Sequence, residues 1–107
     1  MVEQTLYLDN IFQSLADPTR RDILRRVAIE ELSISQIAKS YDLTFAAISK
    51  HLKVLERACL ITKRRRGKEQ IIQVVPQALA DADRYLEQYR ALWEERYDRL
   101  EKLLKEE

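Results

Sequence analysis

LSISQIAKSYDLTFAAISKHLKVLERA, residues 32–58, reads as two helices joined by a tight turn. Ser33 and Gln36 have the spacing of a capping box. In that motif the serine hydroxyl accepts from the Gln36 amide and the glutamine side chain reaches back to the Ser33 amide. Ile34, Ile37, Ala38 and Tyr41 then line one side of a short helix. Asp42 and Leu43 make the connection, and Thr44 caps a second helix running to about Ala58. Ile48, Leu52 and Leu55 recur at helical spacing and face inward. A helix, a short turn and a second helix form the helix–turn–helix unit, here about 33–58.

Upstream, residues 4–15 place Leu8, Ile11, Phe12 and Leu15 on one helical stripe. In LADPTRRDIL, residues 15–24, Asp17 suits an N-cap and Pro18 the first helical position, where its missing N–H costs nothing. Ile23, Leu24, Val27 and Ala28 then face inward on this helix. Glu30, Glu31 and Leu32 are expected to be a short link. Downstream the period changes. Leu60–Lys63 lead into three arginines, then Gly67-Lys68, then a β-rich run to Val75. Gly67, the chain's one glycine, suits a positive φ at the tip. This predicts a two-stranded hairpin, a wing at about 60–75 with a basic tip.

Pro76 opens a last helix over about 76–105. Leu79, Ala82, Leu86, Tyr89, Trp93, Leu100 and Leu103 form an a/d-like seam that Arg96 interrupts. No other part of a domain this small covers so long an apolar stripe, so a second subunit is expected there. The fold class is therefore mainly α with a small β-hairpin, a winged helix–turn–helix. Residues 1–107 form a single domain whose last helix is expected to meet a second subunit.

The formal net charge of +1 conceals a strong separation. Residues 44–68 hold Lys50, Lys53, Arg57, Lys63, Arg64, Arg65, Arg66 and Lys68 against Glu56 alone, 8 − 1 = +7, so the remainder carries −6. The positive segment coincides with the second helix of the unit and the wing, as phosphate binding requires. A solvated charge run is the plain alternative. One histidine, one cysteine and no glycine-rich phosphate loop leave no nucleophile–base constellation, so no enzyme is expected. One cysteine builds no internal disulfide. No apolar run reaches a membrane-spanning length and MVEQTLYLDN lacks a secretory layout, which predicts a cytoplasmic protein without membrane association.

Three motifs in order resemble the ArsR/SmtB family of winged helix–turn–helix repressors. LADPTRRDIL is similar to its second-helix signature. AAISKHLKVL, residues 46–55, resembles its recognition helix, with Ser49, His51, Leu52 and Leu55 at the characteristic spacing. RRRGKEQ, residues 64–70, is similar to its basic hairpin. The resemblance implies a homodimer paired through its first and last helices, sequence-specific binding to an inverted-repeat operator in duplex DNA, and repression of a promoter. On this reading Thr44, Ala46, Ala47, Ser49, Lys50, His51 and Lys53 meet DNA from the recognition helix, and Arg64, Arg65, Arg66 and Lys68 meet it from the wing. Small alanines let the backbone approach base edges, while hydroxyls and lysines donate to bases or phosphates. His51, beside core-facing Leu52, reads either as a packing or backbone-bonding residue or as a DNA contact. Arg20 and Arg21 reach phosphates or, more commonly for such residues, pair with nearby carboxylates. Leu8, Ile11, Phe12, Leu86, Tyr89, Trp93 and Leu100 are the expected dimer contacts.

Family members often release DNA on binding metal. The third-helix positions that would hold thiolates read Ser33, Ile34 and Ser35, and hydroxyls are poor ligands for soft metals. The last helix offers only carboxylates such as Asp81, Asp83, Glu87, Glu94 and Glu95. No regulatory metal and no cofactor are expected, and the inducer is unknown. Cys59 stands where the family usually has a helix-ending glycine, and a left-handed residue there costs roughly 1–2 kcal/mol. A thiol-responsive repressor is a further alternative, although the same chain has no second cysteine to resolve an oxidised Cys59. A small-molecule pocket between the dimer helices, lined by Tyr85, Tyr89 and Trp93, stays open, as does a protein-interaction role for the winged helix.

Overall fold

The computed structural model describes residues 2–106, with side chains from Thr5 onward. Helix α1 (Val2–Ser14) closes with the Ser14 hydroxyl donating to the Ile11 carbonyl at 2.7 Å. Helix α2 (Pro18–Ile29) starts as its residues dictate. Asp17 has extended backbone and its carboxylate accepts from the Arg20 amide at 3.0 Å, with Pro18 in the first turn. Ile23, Leu24 and Val27 are buried. Ala28, expected inside, is exposed together with Ile29 and Glu30, because the last turn of α2 runs past the core.

The link after α2 contains a short strand, β1 (Leu32–Ser33), where the sequence had suggested only a connection. Ser33 then caps α3 (Ile34–Tyr41) in a reciprocal box. Its hydroxyl accepts from the Gln36 amide at 3.2 Å, and its own amide donates to Gln36 Oε1 at 2.8 Å. Asp42 ends α3 at φ 53°, a left-handed position that aspartate tolerates. Thr44 caps α4 (Phe45–Arg57), accepting from the Ala47 amide at 3.1 Å. Strands β2 (Ile61–Arg66) and β3 (Glu69–Val74) pair antiparallel from Ile61↔Val74 to Arg66↔Glu69, and Gly67 turns the chain at φ 61°. The sheet order is β1-β3-β2. Helix α5 (Pro76–Lys105) completes the chain.

Ile11, Ile23, Ile37, Ile48, Leu52, Leu55, Leu60, Ile61 and Ile72 are fully buried, so α1 to α4 and the base of the hairpin share one core. Two tyrosines tie its edges. Tyr41 donates to the Asp22 carboxylate, joining α3 to α2, and Tyr7 donates to Asp81 at 2.6 Å, joining α1 to α5. Both hydroxyls are pushed up to about 12, Tyr41 foremost by burial and Tyr7 by its hydrogen bond to Asp81. The same bond leads in holding Asp81 below its ordinary value.

The end of α4 is a Schellman motif. The Cys59 amide donates to Glu56 O and the Leu60 amide to Leu55 O, both at 3.0 Å, with Leu55 and Leu60 buried. This geometry forces Cys59 to φ 61°, so the helix ends as a glycine would end it and the strain is retained. Cys59→Gly is therefore expected to stabilise the protein by about 0.5–1 kcal/mol, relief of strain outweighing the extra chain entropy of glycine. Urea unfolding measures this directly, and a destabilised variant would contradict the left-handed geometry.

Candidate nucleic-acid interface

Helix α4 buries Ile48, Leu52 and Leu55 and thereby fixes what its opposite side presents. Ala46, Ser49, Lys50 and Lys53 recur at the spacing of one helical stripe, with Ala46, Lys50 and Lys53 exposed and Ser49 half-buried beside them. Arg57 continues that stripe in the last turn. Ala47 is half-buried. Exposed Thr44 uses its oxygen as acceptor in the cap and has a proton left to donate outward. Among the described residues neither lysine is paired with a carboxylate, whereas Lys63 lies 3.6 Å from Glu56.

His51 lies apart from this face. Its side chain is 23% exposed and turns toward the start of α2, with Nδ1 3.4 Å from an Arg20 guanidinium nitrogen and 3.9 Å from the Asp17 carboxylate. Asp17 is held below the usual carboxylate range, chiefly by the Arg20 amide. Arg20 donates to Ser14 O at 2.8 Å and Gln13 O at 3.2 Å, and Arg21 to Leu15 O at 2.8 Å. Of the two readings left open for these arginines, neither describes their hydrogen bonds, which go to backbone carbonyls, although the Arg20 charge also favours the Asp17 carboxylate. Both arginines satisfy orphan carbonyls at the end of α1, where cations also meet the favourable end of the helix dipole.

The wing arginines separate by strand alternation. Arg64 and Arg66 turn to Glu31, Arg64 at 3.2 Å, while Arg65 donates to Gly67 O at 3.2 Å near the tip. Lys68 is exposed at the tip. Sequence reasoning missed Phe45. It falls in register with the buried stripe of α4 but sits in the first turn, beyond the core, and is 56% exposed. It lines a small cleft with Ser33, Ile34, Ser35, Lys68, Glu69 and Gln70, joining the start of α4 to the wing tip.

The expected dimer residues divide. Leu86, Tyr89, Trp93 and Leu100 are exposed on α5, and Leu8 and Phe12 are half-buried on α1. Ile11 is corrected: it is 0% exposed because it points into the core of its own chain and has no surface left for a partner. The seam on α5 is also more continuous than a heptad reading suggests. Trp93 and Tyr97 lie ring to ring at 5.8 Å, so Tyr97 fills the position that Arg96 appeared to interrupt. Within one chain, Tyr85 and Tyr89 touch, their hydroxyl oxygens 3.0 Å apart. Tyr85 lines a cavity of about 350 Å³ with Tyr7, Leu8, Asp81 and Arg84, whereas Tyr89 and Trp93 line a separate groove of about 160 Å³. Among the described residues no group of three or more His, Cys, Asp or Glu side chains is placed to hold a metal ion, and no helix is long and apolar enough to cross a membrane.

The arrangement is that of a winged helix–turn–helix DNA-binding module. A model described as a helix-turn-helix domain matches residues 15–64. HTH-type transcriptional regulator Rv2034 of Mycobacterium tuberculosis is 38% identical over 81 residues, 72% of this chain and 76% of that protein. Transcriptional repressor SdpR of Bacillus subtilis is 33% identical over 60 residues, 56% of this chain and 67% of SdpR. An ArsR-like transcriptional regulator from Rhodococcus sp. RHA1 superposes with TM-score 0.79 at 26% identity, covering 100% of this chain and 98% of that one. The crystal structure of another ArsR family regulator gives 0.77 at 30% identity, covering 84% and 93%. A homodimeric winged helix-turn-helix domain from Mycobacterium bovis gives 0.66 at 22%, covering 91% and 87%, and shares the fold. The chain belongs to the ArsR family of helix–turn–helix transcriptional regulators.

The contrast between Arg20 and Lys50 is measurable without DNA. Arg20→Ala should cost roughly 1–2 kcal/mol of stability, since it strips charged donors from two helix-end carbonyls. Lys50→Ala should cost less than about 0.5 kcal/mol, as an exposed residue outside any bonded network. Equal urea midpoints for the two variants would refute this division between framework and presented surface.

Proposed function

We propose that residues 1–107 act as a single domain which dimerises, binds an inverted-repeat operator in duplex DNA and represses transcription from it in the cytoplasm, without catalysis. The observation that carries this reading is the outer stripe of α4, where Lys50 and Lys53 have no carboxylate partner among the described residues and stand beside Ala46 and Ser49. A helix in the major groove needs this mixture. Small residues permit close approach to base edges, hydroxyls read them, and lysines anchor the phosphates. The name of SdpR supports the sign of the regulation. Arg65 and Lys68 extend the positive surface toward a neighbouring groove.

The binding experiment uses a duplex selected from a random pool at physiological salt, followed by anisotropy titrations over a salt series. Lys50→Ala together with Lys53→Ala should weaken binding by at least about tenfold and reduce the log–log salt slope by about 2, one phosphate for each lysine. Unchanged affinity would show that another face meets DNA.

Dimerisation rests on α5. From Leu86 to Leu104 its large apolar side chains remain 46–66% exposed, a stripe that a monomer leaves in water. A second copy antiparallel or oblique to it buries both stripes at once, as an isologous two-fold interface requires. Two recognition helices so related meet successive major-groove faces roughly 34 Å apart. Sedimentation equilibrium should give twice the mass of one chain, and Trp93→Glu should give the single mass with loss of operator affinity. A wild-type monomer at micromolar concentration would remove the two-fold reading.

A further inference from the structure

The sheet sorts the wing's charges by face. Ser33 pairs with Ile71 and Leu32 with Ile72, so one step back along the chain sets Glu31 opposite Gln73. Gln73 in turn pairs with Thr62, Arg64 with Ile71 and Arg66 with Glu69. Directly paired residues point to the same side of a sheet, so Glu31, Gln73, Arg64 and Arg66 share one face. Ile61 and Ile72 lie on the other, with Lys63 and Arg65, while buried Ile71 and Ser33 share the face of Glu31. Glu31 receives hydrogen bonds from Arg66 and from Arg64 at 3.2 Å, and its carboxyl is held below the usual range chiefly by Arg66. One carboxylate thereby engages two of the three consecutive wing arginines.

We propose that Glu31 is a latch on the wing, holding Arg64 and Arg66 along its own face of the sheet and limiting the wing's sequence-independent grip on duplex DNA. The proposal rests on the DNA-binding reading above. The guanidiniums of Arg64 and Arg66 match a phosphate as well as a carboxylate, so Glu31 and the DNA backbone compete for them. Contacts to phosphate carry no sequence information and strengthen binding to any duplex. A regulator whose bases are read from α4 gains nothing in discrimination from two more such contacts. The latch leaves Arg65 and Lys68, which pair with no carboxylate among the described residues, as the wing's presented charges. Glu31 lies outside the helix–turn–helix unit and outside the hairpin, at the far edge of the sheet, so its influence on DNA comes through the arginines.

The test uses a fluorescein-labelled random-sequence duplex, the full-length protein and a salt series from about 0.05 to 0.2 M. Exposed ion pairs are weak, about two- to fivefold each when measured singly. Glu31→Gln should therefore bind the random duplex about three- to tenfold more tightly. Its log–log salt slope should be steeper by about 1–2, one added phosphate for each arginine released. The gain should vanish when Arg64→Ala and Arg66→Ala are added to Glu31→Gln. Wild-type affinity and slope in Glu31→Gln, or weaker binding, overturns the latch. So does a gain that survives loss of both arginines, since removing one negative charge would then explain it. A wild-type protein that fails to bind the duplex even at low salt removes the DNA-binding reading itself, an outcome distinct from the others.

Discussion

Everything the protein presents depends on how α4 is seated. Ile48, Leu52 and Leu55 lie fully buried against α1, α2 and the base of the hairpin, each worth roughly 1.5–3 kcal/mol of burial. A helix turns by a fixed angle per residue, so seating that stripe leaves no freedom over which side chains face outward. Ala46, Lys50 and Lys53 are presented because three apolar neighbours are hidden. The seat is locked at both ends, by the Thr44 cap and by the Schellman closure through Leu60. Retention of a strained cysteine in that closure shows how strongly burial of Leu55 and Leu60 outweighs a local backbone cost.

Signals confined to a few neighbouring residues were legible in the sequence. The Ser33–Gln36 box, the Asp17–Pro18 start, the Thr44 cap and the Gly67 turn each need a particular side chain at a particular step, and the structure has all four. Strand β1 was not legible, because two residues have no period and pair only through a distant partner at Ile71 and Ile72. Ile11 and Ala28 were misplaced for a related reason. Helical spacing identifies a stripe but not where the core begins and ends along it. The roles of Arg20 and Arg21 were hidden because their partners are backbone carbonyls, which every residue carries and no sequence pattern marks.

The charge segregation read from the sequence survives in altered form. Of the eight basic residues between positions 44 and 68, Lys63 meets Glu56, and Arg64 and Arg66 meet Glu31, a residue outside that segment. Counting charge along the chain overstates the positive surface, since acidic groups distant in sequence fold onto it. The basic residues not so paired, among those described, are Lys50, Lys53, Arg57, Arg65 and Lys68. They lie on one stripe of α4 and around the wing tip. The folded distribution is therefore more focused than the linear one, and focus is what distinguishes a docking surface from a general attraction to polyanions.

Helix α5 links that surface to the proposed symmetry. Its first turns bury Ala78 and Ala82, side chains small enough for the helix to lie close on the core, and Tyr7 holds Asp81 between them. The Val75 amide donates to Leu60 O at 2.8 Å, so the strand leading into α5 is bonded to the residue that closes α4. The direction in which α5 leaves the body is thus set by the same few residues that seat α4. Its aromatic half, from Tyr85 through Tyr97, then projects with Phe12–Tyr85, Tyr85–Tyr89 and Trp93–Tyr97 ring contacts at 5.5–6.0 Å along the exposed stripe. If two chains meet along it, the spacing between their α4 helices follows from the direction that the Val75–Leu60 bond and the Tyr7–Asp81 bond give α5 on each side.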